Sequence, residues 1–476
     1  MVSKAADVRV MRNLGTERNP LRTAIIGSGP AGFYAAEALI RSKSAVVVDM
    51  FERLASPFGL VRSGVAPDHP KLKEPICVYQ RIAESPRFRL FGNVTVGRDV
   101  SVQELKDCYH ALVFACGAHT DRAMGIPGEH LAGSHAASEF VGWYNGHPDY
   151  RDLRFDLSHE TAVVIGQGNV AIDICRILAK TADQLRHTDI AAHALEVLAE
   201  SRIRDIHVIG RRGPAQAKFT HPNLRELGEL ADCDPVVNPH DLELNLASRE
   251  ELTDRSNRAI LKSYEVLQAF AARPPPTRHR RCHIEFLKSP VELRGNGRLE
   301  RVMLVRNRLT GEPSRQIATE TGQTEELACG ILFRSIGYRS VPLAGVPFDD
   351  ARAVIPNRDG RVMDGGNIIP GFYVAGWIKR GPTGIIGSNR EDSVLTVNSI
   401  LADLPHLDLC PSSGTERLEA LLEGRGIRVV TYADWQKIDA AEIRRGEAAA
   451  KPREKFTRLD EMLGVGTACQ STASQA

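Results

Sequence analysis

Two glycine-rich turns of the dinucleotide-binding kind lie in one chain, and no other feature limits its fold as much. Gly27-Ser28-Gly29-Pro30-Ala31-Gly32 follows the apolar run 21–26 and opens a helical pattern over 31–41. Gly166-Gln167-Gly168-Asn169-Val170-Ala171 follows the apolar run 161–165 and opens another, through Lys180. In such a turn the first glycine permits the tight bend, the second lets the backbone approach a pyrophosphate, and the third lets helix pack on strand. The helix N-terminus then presents free N–H groups and its positive dipole end to an anion. Two units of this kind predict an α/β protein holding two nucleotides, and two redox nucleotides imply an electron path between them.

The charge at the end of the following strand says which nucleotide each turn takes. The run 45–51 ends at Glu52. A carboxylate there accepts hydrogen bonds from both ribose hydroxyls and repels a 2′-phosphate, as suits FAD or NAD. The run 206–209 ends instead in Gly210-Arg211-Arg212-Gly213-Pro214. Paired guanidiniums grip a 2′-phosphate, so this turn is expected to take NADP(H). The stretch between the second turn and its arginines is long, and residues 181–205 must contain an inserted helical segment with Leu185, Ala194, Leu195 and Leu198 on its apolar side.

At 476 residues the chain exceeds one core, so two domains are expected. The net charge of +2 gives no global attraction to nucleic acid or to a membrane, and no run of about 18 apolar residues predicts a transmembrane helix. The nine cysteines contain no Cys-x-x-Cys, and several sit in apolar runs such as Leu112-Val113-Phe114-Ala115-Cys116. That usage suits a reducing compartment and argues against a bound iron–sulfur cluster, a metal site or a redox-active vicinal disulfide. The first twenty residues lack the apolar block of a secretory signal. The cytoplasm is expected, with the mitochondrial matrix as the alternative.

Downstream, residues 369–377 read as a strand ending at Trp377, followed by the glycine-rich turn 378–387 and a helix carrying Val394, Leu395 and Val397. Turn glycines before a helix make an anion-friendly concavity. Trp377 offers a ring to an aromatic cofactor, or else fills a core at a strand end. Similar strand-to-glycine patterns at 112–118 and 331–338 mark crossings between nucleotide domains. Residues 284–287 and 301–305 have the look of antiparallel strands, and Pro274-Pro275-Pro276 of an internal loop.

With these residues in order, the chain resembles the adrenodoxin reductase family of FAD-dependent ferredoxin–NADP reductases, of the glutathione-reductase-like structural class. The resemblance rests on the two glycine turns, Gly210-Arg211-Arg212-Gly213-Pro214, and four further runs. These are Pro57-Phe58-Gly59-Leu60-Val61-Arg62-Ser63-Gly64-Val65-Ala66-Pro67-Asp68-His69-Pro70, Phe91-Gly92-Asn93-Val94-Thr95-Val96-Gly97, Trp377-Ile378-Lys379-Arg380-Gly381-Pro382-Thr383-Gly384, and the C-terminal Asp434-Trp435 with Lys451-Pro452-Arg453-Glu454-Lys455. It covers about 21–464.

The resemblance implies that Gly27, Gly29, Ala31, Gly32, Glu52, Leu60 and Val96 contact FAD, with Trp377, Gly384, Ile385 and Ile386 closing over the flavin. It assigns Gln167, Gly168, Asn169 and Val170 to the NADP pyrophosphate, and Arg211 with Arg212 to the 2′-phosphate. His69 and Asp173 match positions beside the flavin and are candidates for proton traffic. One departure shows: Asn223 aligns where relatives carry a glutamate that contacts NADP, which keeps an acceptor and loses a charge.

The expected architecture is two Rossmann-like domains, the NADP domain inserted into a discontinuous FAD domain. The expected boundaries are 1–20 for an N-terminal arm, 21–124 and 349–464 for the FAD domain, 125–348 for the NADP domain, and 465–476 for a disordered tail. The expected chemistry is hydride transfer from NADPH to FAD, then single electrons to a ferredoxin-type iron–sulfur protein that feeds monooxygenases. Docking of an acidic ferredoxin calls for local basic surface. The candidates are Arg255, Arg258 and Lys262 on one helix face, and Arg278, Arg280 and Arg281. The alternatives are an NADPH-dependent flavin monooxygenase or another FAD/NADPH oxidoreductase, and a non-catalytic NADP sensor. A flavin disulfide reductase would need the vicinal cysteine pair that is missing.

Overall fold

Strands that are apolar along their whole length must be covered on both faces, and in this chain they assemble into two separately covered sheets. A computed structural model describes residues 14–408 and 415–465. Residues 1–13 of the expected arm, 466–476 of the expected tail, Cys410 and Cys469 lie outside the described residues.

The first sheet has seven strands in the order 357–358, 361–364, 367–374, 111–114, 21–26, 46–52 and 88–92. Its five-strand body from Asn367–Val374 to Phe88–Gly92 is parallel, and the two outer strands at the 357–364 end run antiparallel. The second has six strands, all parallel, in the order 134–136, 331–334, 161–165, 205–209, 280–285 and 233–236. Each glycine turn follows a strand near the middle of its sheet, and the strand ending in the discriminating charge lies next to it.

The chain passes from the first sheet to the second near residue 120 and returns near 338. Those two passages pair antiparallel, Thr120 opposite Arg339 and Asp121 opposite Tyr338. Arg334 at the end of its strand donates to Asp121 at 3.0 Å, tying this ribbon to the second sheet.

Several local expectations are corrected. Residues 280–285 form a parallel strand inside the second sheet, because Arg281 registers with Asp205 and Ile284 with Val208. The antiparallel sheet begins after it, with Lys288–Arg294, Arg301–Thr310 and Ile317–Ala328. Trp377 does not end a strand: Asn367–Val374 stops short of it, and Trp377–Arg380 is a single helical turn. The segment 181–205 holds two short helices, Ala182–Leu185 and Ala192–Ala199. Arg255 lies in a 3-10 turn ahead of the helix Arg258–Ala271 that carries Arg258 and Lys262.

The C-terminal segment spans both sheets. Thr431 and Asp434 form a capping box that starts the helix Tyr432–Ala448. Trp435, 1% exposed, packs edge-on against Phe58 with ring centroids 5.9 Å apart, under the Arg62 guanidinium at 4.8 Å. Arg62 in turn pairs with the fully buried Glu442 at 2.6 Å. Beyond this helix the chain crosses to the second sheet's side, where Lys451 donates to the Ile190 carbonyl at 2.7 Å. Asp189 takes Lys455 at 3.1 Å and Lys73, from the first sheet's side, at 2.7 Å. Burial pushes the Lys455 pKa down to about 7, with repulsion from Lys73 and Arg62 adding to it and Asp189 opposing it.

Truncating Trp435 removes a large ring from this junction. Trp435→Ala should lower stability by about 3–5 kcal/mol, read as a reduced urea midpoint; an unchanged midpoint would show that the helix is not integral to the core.

Candidate functional site

The first turn is shaped by what it cannot touch. Gly27 has φ +109°, and a Cβ there would lie 2.5 Å from the Ala115 carbonyl oxygen. Gly29, by contrast, would place a Cβ in open space, with nothing within 4 Å, although strand and helix pack closely on either side. No side chain caps the helix Pro30–Ile40, so its first N–H groups face that space. Ala31 and Gly32 are buried in the helix's first turn, and Gly376 lies so near that a Cβ on it would sit 2.5 Å from that of Ala31. An uncapped helix end over an open cradle fits a pyrophosphate.

Glu52 is held at the rim of the same cradle. Its Oε2 accepts from the Ser28 hydroxyl at 2.6 Å and the Ser28 N–H at 3.3 Å, and its Oε1 from the Leu54 N–H at 3.0 Å. Neutral donors therefore orient the carboxylate. Leu60 lies half-buried on the short helix Gly59–Ser63, and a Cβ on Gly59 would sit 3.0 Å from the Gly29 Cα. Val96 is buried in the first sheet's core beside Val94 and Val100.

The closing segment returns over this cradle. Trp377 is half-buried, its ring 5.5 Å from that of Tyr338, with Nε1 donating to the Thr383 carbonyl at 3.1 Å. Gly384 has φ +86°, Ile385 is exposed and Ile386 packs on the core. The Asp392 carboxylate anchors the whole turn, accepting from the Gly376 N–H at 2.6 Å and pairing with Lys379 at 2.8 Å.

The second turn repeats the first. Gly166 has φ +134°, and a Cβ there would lie 2.1 Å from the Ser335 carbonyl oxygen, while Gly168 again faces open space. The loop after the arginines is tied to this turn. The Gln167 carbonyl accepts from the Lys218 and Phe219 N–H groups at 2.8 and 3.0 Å, and Asn169 accepts from the Thr220 N–H at 2.9 Å. Val170 packs on the second core. The Asn307 side-chain amide donates to the Arg211 carbonyl at 3.0 Å and the Leu287 N–H to the Arg212 carbonyl at 3.1 Å, which holds the backbone of both arginines. Their guanidiniums make no hydrogen bond or ion pair among the described residues. Burial lowers the Arg212 pKa, repulsion from Arg211 adds to it, and Glu251 partly offsets both. Two adjacent unpartnered cations fit a doubly charged phosphate.

Between the two turns lies a charged cluster to which both sheets contribute. Asp68 and His69, before the 3-10 turn Pro70–Lys73, meet Asp173, Arg176 and Lys180 at the second fingerprint helix. Arg176 takes Asp68 bidentately at 2.6 and 2.9 Å, and Lys180 adds a contact at 2.6 Å. Burial alone would raise the Asp68 carboxyl, but these bonds and charges outweigh it and hold it well below the carboxylate range. Asp173 is pushed up by burial, against the pull of Arg176 and His69. Its contact with Arg176 at 3.0 Å is an ion pair without hydrogen-bond alignment.

His69 and Asp173, singled out from the sequence, thus come within 4.0 Å. The closer carboxylate was missed: Glu226 Oε2 lies 2.6 Å from His69 Nε2. Asn223, one turn earlier on the helix His221–Gly228, is not the residue that reaches the histidine; its side-chain oxygen accepts weakly from Thr220 at 3.4 Å. The signal was the spacing of three between them, which places both on one helix face. Among the described residues, no cluster of His, Cys, Asp and Glu is arranged to hold a metal, and no helix is long and apolar enough to cross a membrane.

The chain is similar to known proteins in sequence and fold. The pattern of the family described as pyridine nucleotide-disulphide oxidoreductase matches residues 21–209. The NADPH-ferredoxin reductase FprA of Mycobacterium leprae is 45% identical over 452 residues, 93% of this chain and 98% of that protein. The mitochondrial NADPH:adrenodoxin oxidoreductase of Bos taurus is 42% identical, over 96% of this chain and 94% of its own. The structure of Mycobacterium tuberculosis FprA in complex with NADPH superposes with a TM-score of 0.89 at 44% identity, covering 94% of this chain and 100% of that one.

A methyl group at Gly29 meets nothing in the protein, so Gly29→Ala should fold with a stability loss within about 1 kcal/mol. It should nonetheless purify with little or no FAD, read from the visible-to-ultraviolet absorbance ratio. A fully yellow variant would mean the open space is not the pyrophosphate's.

Proposed function

This chain belongs to the family of the NADPH–ferredoxin and NADPH–adrenodoxin reductases, and from that premise we infer how its own residues carry electrons from NADPH through FAD to a ferredoxin-type iron–sulfur protein. The observation that carries the assignment of the two cofactors is the opposition of charges at equivalent strand ends. Glu52 stands beside the first glycine turn, and Arg211 with Arg212 beside the second. An acid selects a bare ribose at one, and paired cations select a 2′-phosphate at the other. Bound FAD supplies the conversion of a two-electron hydride into one-electron steps.

The chain's residues orient and enclose. The uncapped N-termini of the helices Pro30–Ile40 and Asn169–Ala179 face the two pyrophosphates. Gln167 and Asn169 hold the arginine loop in register with the second turn. Trp377 and 384–386 cover the flavin side, anchored by Asp392. His69, Glu226 and Asp173 form the proton-bearing group between the sheets. The division into an FAD part, 21–124 with 349–464, around an NADP part, 125–348, is supported by which strands enter which sheet. Free buried thiols suit a reducing compartment, the cytoplasm or a mitochondrial matrix.

The two basic surfaces considered for docking differ in what their charges already do. Arg280 is paired with Asp232 at 2.6 Å, Arg281 with Asp205 at 2.5 Å, and Arg278 is bonded to the Leu230 and Cys233 carbonyls. Arg255, Arg258 and Lys262 are exposed and make no ion pair among the described residues. This second group is the better supported ferredoxin contact, since an unpartnered cation attracts an acidic surface at longer range.

Anaerobic stopped-flow reduction tests the cofactor assignment. NADPH should bleach the flavin much faster than NADH. Charge-assisted bonds to a phosphate are worth about 1.5–3 kcal/mol, so Arg212→Gln should lower kcat/KM for NADPH by about ten- to a hundredfold and leave NADH little changed. Equal losses with both would remove the 2′-phosphate assignment. Arg258→Glu should raise the KM for an acidic ferredoxin and flatten its salt dependence while flavin bleaching by NADPH is retained; a KM and salt slope like the parent's would place docking elsewhere.

A further inference from the structure

Arg176 is 1% exposed, and its nitrogens face four different side chains. Nε donates to Asp68 Oδ2 at 2.6 Å and Nη2 to Asp68 Oδ1 at 2.9 Å. Nη1 lies 3.0 Å from Asp173 and 3.8 Å from Glu226. The remaining direction of Nη2 is toward His69 Nδ1, 3.3 Å away.

That last contact decides where the histidine carries its proton. A guanidinium has only donors and does not lose its proton in a protein. The ring nitrogen facing it must therefore offer a lone pair. The proton then sits on Nε2, 2.6 Å from Glu226 Oε2, where it is donated to a carboxylate. A second ring proton, on Nδ1, would point into the guanidinium. The nearest carboxylate on that side, Asp173 Oδ1, is 4.0 Å from Nδ1 and beyond hydrogen-bond reach.

We propose that Arg176 is a positioning residue that holds His69 as the neutral Nε2–H tautomer, aimed at Glu226. The proposal rests on the reductase reading of the site, in which His69 and Glu226 stand between the two nucleotides. The arrangement makes the tautomer a property of both sheets together. Asp68 and His69 come from one side, and Arg176 and Glu226 from the other, so His69 Nδ1 faces the guanidinium only when the two are in register.

The test is nitrogen-15 NMR of the FAD-loaded enzyme labelled at histidine, using long-range ring correlations, with His69→Gln identifying the His69 signals among those of the chain's 15 histidines. The expected result is one form, with Nδ1 in the unprotonated range and Nε2 in the protonated range. In Arg176→Lys a cation remains for Asp68, but an ammonium cannot donate in the guanidinium's several directions, so the His69 signals should shift toward a tautomer mixture or the doubly protonated ring. A urea midpoint for this variant separates that change from loss of fold. A wild-type His69 protonated at Nδ1 overturns the proposal, and so does an Arg176→Lys protein whose His69 stays wholly Nε2–H. If Arg176→Lys does not fold, the wild-type spectrum still decides. Failure of NADPH to bleach the flavin would overturn the reductase reading without altering these signals.

Discussion

Asp68 and Arg176 meet across the boundary between the two sheets with both charges out of water, and neither can be left there alone. Removing one partner of such a pair costs about 3–5 kcal/mol, because the other stays buried and unpaired. The arrangement of the two nucleotide turns therefore has little room for partial states. Lys180 and Asp173 extend the same contact, and Asp189 with Lys73 and Lys455 repeats its logic at the C-terminal crossing. The antiparallel passage at 120–121 and 338–339 fixes where the chain enters and leaves the second sheet. Together these contacts keep the two open cradles in one relative placement.

The two cradles are shaped more locally. Gly29 and Gly168 each leave room in front of a helix end that no side chain caps, while their neighbours pack tightly. The charges that tell the two apart sit at the same point of the same supersecondary unit. In the proposed assignment, selectivity follows from strand adjacency, with Glu52 and Arg211–Arg212 in equivalent places.

The structural readings that held depend on residues close in sequence: the two glycine turns, the apolar strands leading into them and the helices that follow. Those that changed depend on pairings the chain order does not display. Residues 284–287 look like an antiparallel strand, yet Ile284 and Glu285 belong to the strand Arg280–Glu285, which lies parallel to Asp205–Ile209. The same register places Arg281 on Asp205 and removes it from the free basic surface. The contact of Glu226 with His69 likewise forms only where the two sheets meet.

By itself the sequence determined the fold class, the two glycine turns and the sign of the charge beside each, because φ preferences, burial periodicity and strand-end chemistry act within one strand–helix–strand unit of the chain. Tertiary structure decided the His69–Glu226 contact, the role of Arg176 and which arginines remain unpartnered. Those depend on side chains 157, 107 and 76 positions apart, whose meeting is set by how two sheets pack rather than by any local pattern.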